Sequence, residues 1–208
     1  MNLKKLELRL RANAPDFLRS MYRLTRSRNA GPSKPVPAEL IEDCRFCASR
    51  VHMLEFLPRN GIVAELGTFH GNFARRILEI SSPTELHLVD VDFTEFNPQG
   101  LQNASVRRHE GLTTQVMESF RDEMFDWIYV DADHSFDGVM ADACTAASKL
   151  KPEGYLVFND FAHIDPKLGR YGVHRAVVDF MLENQWPLKF FAYQASGLYD
   201  VAIQKPVS

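Results

Sequence analysis

The sequence predicts an α/β fold in which a mostly parallel sheet ends in an antiparallel hairpin and carries helices on both faces. Short apolar runs alternate with helical stretches at the spacing of right-handed crossover connections, which makes successive strands parallel. The last two apolar runs are joined only by Gln-Ala-Ser-Gly, which is too short for a parallel crossover. A chain of 208 residues with 45% hydrophobic and 25% charged residues fits one globular domain with a small appendage.

The pattern of apolar residues predicts seven strands and the helices between them. The parallel strands are expected at residues 62–66, 86–90, 105–109, 127–131 and 155–159, and the hairpin strands at residues 188–193 and 198–204. Helices are expected at residues 71–80, 113–121, 135–150 and 173–184. A further helix over residues 38–57 is expected to lead into the domain.

The N-terminal segment is basic, whereas the rest of the chain is acidic. Residues 1–35 hold nine Lys/Arg and two Asp/Glu, a net charge of +7, so the remaining residues carry −10. Apolar spacing predicts a basic helix over residues 1–28 that is interrupted at Pro15. We therefore expect a helical arm and linker at residues 1–37 and the main domain at residues 38–208. The arm is interpreted as a solvated or dimer-forming helix, while a cap over a substrate site, a membrane-surface helix and a nucleic-acid patch stay open.

Composition favours a cytoplasmic protein. No run approaches the ~20 apolar residues that span a bilayer, and the N-terminus has no apolar core of the signal-peptide kind. Three cysteines are too few for a disulfide framework, which fits a reducing compartment. Cys44 and Cys47 form a lone C-x-x-C, which we interpret as two thiols one turn apart on a helix.

Acids and glycines at the carboxyl ends of the predicted strands are the candidate ligand-binding residues, because open α/β sheets bind ligands there. Glu65 lies at the tip of the first strand, and Gly67 and Gly71 lie in the turn that follows, where backbone N–H groups can approach a ligand closely. The second strand ends at Asp90, whose carboxylate can accept both hydroxyls of a ribose, with Asp92 as its competitor. An acid beside the turn would repel a diphosphate, so the pattern favours a cationic or zwitterionic ligand.

These segments resemble the cofactor motifs of class I S-adenosylmethionine-dependent methyltransferases. The resemblance rests on Glu-Leu-Gly-Thr-Phe-His-Gly at residues 65–71, on Asp90 and on Gly111, and it covers residues 50–205. It implies a Rossmann-like sheet of seven strands and S-adenosylmethionine as the methyl donor. The residues that it assigns to the cofactor are Glu65, Gly67, Thr68, Phe69, Gly71, Asp90, Val91, Gly111, Leu112 and Asp131.

The fourth and fifth strands are similar to those of small-molecule O-methyltransferases of the sugar and catechol type. The similar segments are Tyr-Val-Asp-Ala-Asp-His-Ser-Phe at residues 129–136 and Lys-Pro-Glu-Gly-Tyr-Leu-Val-Phe-Asn-Asp at residues 151–160. The resemblance implies a Mg²⁺ site held by Asp131, Asn159 and Asp160, since Mg²⁺ prefers oxygen ligands. Asn159 departs from the second Asp that is common in the sugar enzymes. Asp133 is interpreted as a loop acid or a helix cap.

His134 is the candidate catalytic base. It follows Asp131 by three residues, and the resemblance places a basic side chain there, near the methyl acceptor. A neutral imidazole can take the proton of a hydroxyl, although packing or capping is an alternative role. His70 and His163 are its rivals.

The predicted function is transfer of a methyl group to a hydroxyl of a small molecule, a sugar or a natural-product intermediate, with assistance from Mg²⁺. One alternative is a nucleic-acid methyltransferase that uses the basic arm, and another is a non-catalytic S-adenosylmethionine-binding scaffold. A nucleic-acid partner is disfavoured because the sequence has no recognisable nucleic-acid-binding module. A homodimer through the N-terminal helix is the expected assembly.

Overall fold

The computed structural model describes residues 15–26, 31–162, 164–165 and 169–207. These residues form six α-helices and ten strands. The helices are α1 (Asp16–Arg26), α2 (Arg50–Leu54), α3 (Asn72–Ser81), α4 (Thr113–Glu118), α5 (Phe136–Lys149) and α6 (Val173–Asn184). The strands are β1 (Arg45–Cys47), β2 (Ile62–Leu66), β3 (Glu85–Asp90), β4 (Val106–Glu110), β5 (Phe125–Val130), β6 (Leu150–Phe158), β7 (Ile164–Asp165), β8 (Gly169–Arg170), β9 (Leu188–Ala192) and β10 (Asp200–Gln204).

Eight of these strands form one sheet in the order β1-β9-β10-β6-β5-β2-β3-β4. Neighbouring strands are parallel except where β10 pairs with β6 and with β9. The predicted α/β fold, with a mostly parallel sheet and an antiparallel hairpin at its end, is therefore confirmed. Within this sheet, the strands after residue 60 begin and end within a few residues of the predicted positions, apart from β6, which starts at Leu150. Strands β7 and β8, which were not predicted, form a separate antiparallel pair.

The prediction of one helix over residues 38–57 is wrong. This segment instead forms a short 3-10 turn at Ala38–Leu40, then β1 and then the five-residue helix α2. Strand β1 pairs in parallel with β9, and Phe46 stacks on Phe191 with ring centroids 5.6 Å apart. Pairing with a distant strand therefore outweighs the local helical spacing and adds an eighth strand to the expected seven. As a further consequence, Cys47 is buried in a strand, so Cys44 and Cys47 do not share a helix.

Two apolar layers cover the two faces of the sheet. On one face, α5 and α6 bury Ala143, Val177 and Phe180 in a cluster with strand residues such as Ile128 and Phe158. On the other face, α2 and α3 bury a second set of side chains that includes Met53, Leu54, Ile77, Leu88 and Trp127. Both faces of the central strands are covered in this way, which explains their almost continuous apolar sequences.

The basic helix is confirmed where the structure describes it. Helix α1 begins directly after Pro15, a residue that interrupts helices, and the predicted residues 1–14 and 27–28 lie outside the described ones. Its apolar side chains are exposed, namely those of Phe17, Leu18, Met21 and Leu24. No helix within the described ranges is long and apolar enough to cross a membrane.

Candidate active site

The turn after β2 is held tightly against the end of β5. Gly67 has a φ of +91°, and its N–H donates to the carbonyl oxygen of Val89 at 2.8 Å. A Cβ atom on Gly67 would overlap the carbonyl oxygen of Asp131. The Asp131 N–H in turn donates to the carbonyl oxygen of Leu66 at 2.8 Å. Only glycine fits this position, both for its backbone conformation and for its space, so the turn and Asp131 are fixed side by side.

The same turn leads into α3 and presents polar groups there. Gly71 is the N-cap of α3 with a φ of +74°, and a Cβ atom would lie 2.7 Å from the ring of Phe96. Thr68 is only 5% exposed, and its hydroxyl has no hydrogen-bond partner among the described residues. Buried polar atoms are normally hydrogen-bonded, so this hydroxyl and the N–H groups of the first turn of α3 suit a polar ligand.

Asp90, at the end of β3, supports the turn. Its carboxylate accepts the Phe69 N–H at 2.8 Å and the Asp92 N–H at 3.2 Å. The Asp90 carbonyl oxygen accepts the Gly111 N–H at 2.9 Å, so the end of β4 is fixed to the same point. Asp92, its predicted competitor, instead uses its side chain to accept the Thr94 N–H at 2.8 Å.

The remaining cofactor candidates lie at the same edge of the sheet. Glu65 is the fourth residue of β2, is 2% exposed, and pairs in register with Leu88 and Tyr129. Val91 directly follows β3, and Leu112 lies between β4 and α4 with its side chain exposed. The structure thus brings all ten candidates to the carboxyl ends of β2, β3, β4 and β5.

His134 lies in the loop between β5 and α5, close to two carboxylates. Its Nε2 atom is 3.4 Å from Oδ1 of Asp131 and 3.8 Å from Oδ2 of Asp160. The imidazole is 7% exposed and its centroid lies 4.7 Å from that of the Tyr171 ring. The His134 carbonyl oxygen accepts the Gly172 N–H at 2.8 Å, which fixes the backbone. The site therefore holds an imidazole in a defined place between two acids.

Residues 64–161, which run from β2 to just beyond β6, match the family model of a methyltransferase domain. Over this stretch, which is slightly less than half of its length, the chain is similar to methyltransferase domains. The match includes every predicted site residue. Together with the fold, it supports an S-adenosylmethionine-dependent methyltransferase of class I. No protein of curated function matches the chain in sequence.

Solved structures share the fold at low sequence identity. The N-methyltransferase NodS from Bradyrhizobium japonicum WM9 is 16% identical with a TM-score of 0.58, over 76% of this chain and 95% of that one. The 1,6-didemethyltoxoflavin-N1-methyltransferase from Burkholderia thailandensis, whose structure contains S-adenosylhomocysteine, is 15% identical with a TM-score of 0.53, over 72% of each chain. The spermidine synthase from Thermotoga maritima is 16% identical with a TM-score of 0.52, over 77% of this chain and 58% of that one. These likenesses show the fold of the methyltransferase and leave its acceptor open.

Within the described residues, no assembled metal site is seen at the predicted Mg²⁺ ligands. Asn159 is turned into the protein, where its amide N–H groups donate to Tyr129 Oη at 3.1 Å and to Asp200 Oδ1 at 3.2 Å. Asp131 and Asp160 both face the imidazole of His134. Among the described residues, no group of three His, Cys, Asp or Glu side chains is placed to hold a metal ion. The described residues therefore give no support for Mg²⁺ at Asp131, Asn159 and Asp160.

Asp133 and His70, two other candidates near the glycine turn, make contacts within the protein. Asp133 accepts both the N–H and the hydroxyl of Ser135, at 2.8 and 2.9 Å, and Ser135 is the N-cap of α5. Asp133 therefore supports a helix start, as expected of a loop acid. His70 contacts the carbonyl oxygen of Glu95 at 2.8 Å through Nδ1, and His163 lies outside the described residues.

Sequence reasoning missed a buried polar network around Asp200, the first residue of β10. Its carboxylate accepts Tyr129 Oη at 2.6 Å, the Asn159 amide at 3.2 Å and the amide of Gln194. Burial is the main cause that raises the pKa of Asp200 to about 7, and burial also raises the pKa of Tyr129. Arg50 contacts the network through Nη1, 3.4 Å from Tyr129 Oη. The sequence signal for this network is an acid at the first position of an apolar strand, because a buried carboxylate needs hydrogen-bond partners.

Proposed function

We propose that this methyltransferase transfers a methyl group to a hydroxyl oxygen of a small molecule, a sugar or a natural-product intermediate, with His134 as the general base. The observation that carries the proposal is the position of His134 Nε2, 3.4 Å from Asp131 and 3.8 Å from Asp160 at the carboxyl edge of the sheet. A hydroxyl is a weak nucleophile until it loses its proton, so a base near the acceptor suits oxygen chemistry.

The chain's own residues support each part of this role. S-adenosylmethionine, when bound, supplies a methyl group on a positively charged sulfur, which is an activated leaving group. The turn at Gly67 and Thr68 offers backbone and hydroxyl groups to this donor, and Asp90 offers a carboxylate to ribose hydroxyls. His134 takes the acceptor's proton at Nε2. Asp131 and Asp160 then stabilise the positive charge on the imidazolium by Coulomb attraction.

Substitution of His134 by Asn tests the role of the imidazole. General acid–base catalysis contributes roughly 10²- to 10⁴-fold, so His134→Asn should lower kcat on an accepted hydroxyl substrate by about that factor. Binding of S-adenosylhomocysteine should stay within about twofold of wild type, because no donor contact is removed. Turnover is measured as S-adenosylhomocysteine released in a screen of sugar and phenolic acceptors.

The matched control is His174→Asn. His174 is a half-buried histidine on α6, with its ring 4.9 Å from that of Phe161 and outside the proposed machinery. This variant should keep wild-type turnover. Unchanged kcat in His134→Asn, or an equal loss of donor binding and turnover, would contradict the assignment of His134 as the base.

We further propose that the chain forms a homodimer through α1, with residues 1–37 as an arm and 38–208 as the catalytic domain. The apolar side chains of α1 are exposed, and the net charge of +7 on residues 1–35 complements the acidic remainder of a second copy. The linker already contacts α6, where Pro32 accepts from Arg175 at 3.4 Å. Sedimentation velocity should show a dimer that Met21→Glu dissociates. Wild-type protein that sediments as a monomer would contradict the proposal, whether or not it binds anionic vesicles.

The free thiols of Cys44, Cys47 and Cys144 support a proposed location in the reducing cytoplasm. Nucleic-acid methylation and a scaffold role are not favoured. The family match covers the catalytic region, and the basic arm lies outside that match.

A further inference from the structure

Tyr171 packs against the imidazole that we propose as the base. The centroids of the Tyr171 and His134 rings are 4.7 Å apart, and the planes of the two rings are inclined by 33°. Both residues are almost completely buried, at 4% and 7% exposed. Rotation of the imidazole about its side-chain bonds would therefore bring it against the tyrosine ring or leave a gap in a closely packed region.

The backbone on both sides of Tyr171 is held in place. Before it, β8 pairs with β7 in antiparallel orientation. After it, the Gly172 N–H donates to the carbonyl oxygen of His134 at 2.8 Å, and a Cβ atom on Gly172 would overlap the backbone nitrogen of Phe136. The chain between β6 and α6 is therefore fastened to the loop between β5 and α5 at the point where the two rings meet.

The orientation of the imidazole matters for its proposed role. A general base needs its nitrogen within about 2.6–3.2 Å of the acceptor's oxygen, and a misplacement of about 1 Å can cost roughly 10²-fold in rate. Asp131 and Asp160 attract the imidazolium over 3.4 and 3.8 Å, but charge attraction depends only weakly on how the ring is turned. Close packing against another ring depends on it strongly, so the Tyr171 contact is suited to fix the direction of Nε2.

We infer that Tyr171 is a positioning residue, whose ring holds the His134 imidazole in the orientation that points Nε2 at the methyl acceptor. This inference rests on the proposed function, in which His134 is the base. Because the contact is made between the two rings, the aromatic ring of Tyr171 carries the role, and phenylalanine should serve in its place.

Two substitutions separate the ring from the rest of the side chain. Tyr171→Leu removes the ring and should lower kcat on an accepted hydroxyl substrate roughly 10- to 100-fold, while KM and the affinity for S-adenosylhomocysteine stay within about twofold of wild type. Tyr171→Phe keeps the ring and should keep kcat within about twofold. If Tyr171→Leu does not fold by circular dichroism, Tyr171→Met removes the ring with a side chain that fills gaps more readily.

A double variant tests whether Tyr171 acts through His134. In the His134→Asn background the imidazole is already gone, so Tyr171→Leu should lower the residual kcat by less than about twofold. Effects that simply multiply would mean that the tyrosine ring serves turnover in some other way.

Phe180→Leu is the matched control. Phe180 is a buried aromatic residue of α6, the helix that follows Tyr171, and its ring packs against that of Trp186 with centroids 5.2 Å apart. This variant also loses a buried ring, and it should keep the wild-type kcat at a temperature at which circular dichroism shows it to be folded.

Three results would overturn the inference while leaving His134 as the base. These are a wild-type kcat in Tyr171→Leu, an equal loss in Tyr171→Phe and Tyr171→Leu, and multiplying losses in the double variant. A wild-type kcat in His134→Asn would instead refute the proposed function, and the inference with it.

Discussion

The buried carboxyl of Asp200 should make the protein lose stability as the pH rises. Burial raises its pKa from 3.8 to about 7, so the folded state binds this proton more tightly than the unfolded chain does. The stability contributed by the protonated form is complete below about pH 4 and is lost as the pH rises to about 7. At ~1.4 kcal/mol per pH unit, the loss amounts to about 4 kcal/mol in all and about 3 kcal/mol between pH 5 and pH 8.

Asp200→Asn removes this titration and keeps the shape of the side chain. The amide disturbs the hydrogen bonds from Tyr129, Asn159 and Gln194, which adds a destabilising offset of about 1–3 kcal/mol that does not depend on pH. The free energy of unfolding of the variant, relative to wild type, should therefore increase by about 3 kcal/mol from pH 5 to pH 8.

Urea unfolding followed by circular dichroism at pH 5, 6, 7 and 8 measures this difference. Asp137→Asn makes the same chemical change at an exposed position of α5 and is the matched control. A difference for Asp200→Asn that does not change with pH would mean that Asp200 ionises as readily in the folded protein as in the unfolded chain, contrary to this prediction.

Two further predictions concern the turn and the edge of the sheet. Gly67→Ala should abolish measurable binding of S-adenosylhomocysteine, because the new Cβ atom would overlap the carbonyl oxygen of Asp131. The control is Gly197→Ala, at a φ of +77° in open space, which should cost only about 1–2 kcal/mol of stability and keep binding. Equal binding by both variants would contradict the proposed turn. Burial lowers the pKa of His87 and His109, whose ring nitrogens are 3.0 Å apart, so the stability that this pair contributes should be full above about pH 6.5 and fall as the pH drops further. In urea unfolding, His87→Asn should therefore become more stable relative to wild type as the pH falls from 7 to 5, and a constant difference would be evidence against this pair.

The glycine turn and its acids could be predicted from the sequence because their signals are local. β2 and β5 are short apolar runs, and the residues that follow a parallel strand must lie at one edge of the sheet. His134 lies close to Asp131 for the same reason, since both belong to the loop that leaves β5.

The features that could not be predicted from the sequence depend on contacts between distant parts of the chain. Strand β1 has only three residues, Arg45–Cys47, and becomes a strand by pairing with Phe190–Ala192. The resemblance to small-molecule O-methyltransferases predicts a metal ligand at Asn159. Its amide instead donates to Asp200, 41 positions later, and to Tyr129 of β5. No local pattern contains such partners, so the direction in which Asn159 points could not be read from its neighbours.

Equilibrium dialysis with S-adenosylmethionine tests whether the protein binds this methyl donor at the turn supported by Asp90. We expect wild type to retain one equivalent of ligand with an affinity in the micromolar range. Asp90→Ala should bind at least about tenfold more weakly, because the turn loses its support at Phe69 and the ribose loses its acceptor. No retention by wild type at about 1 mM ligand, or equal affinity in the variant, would contradict the account.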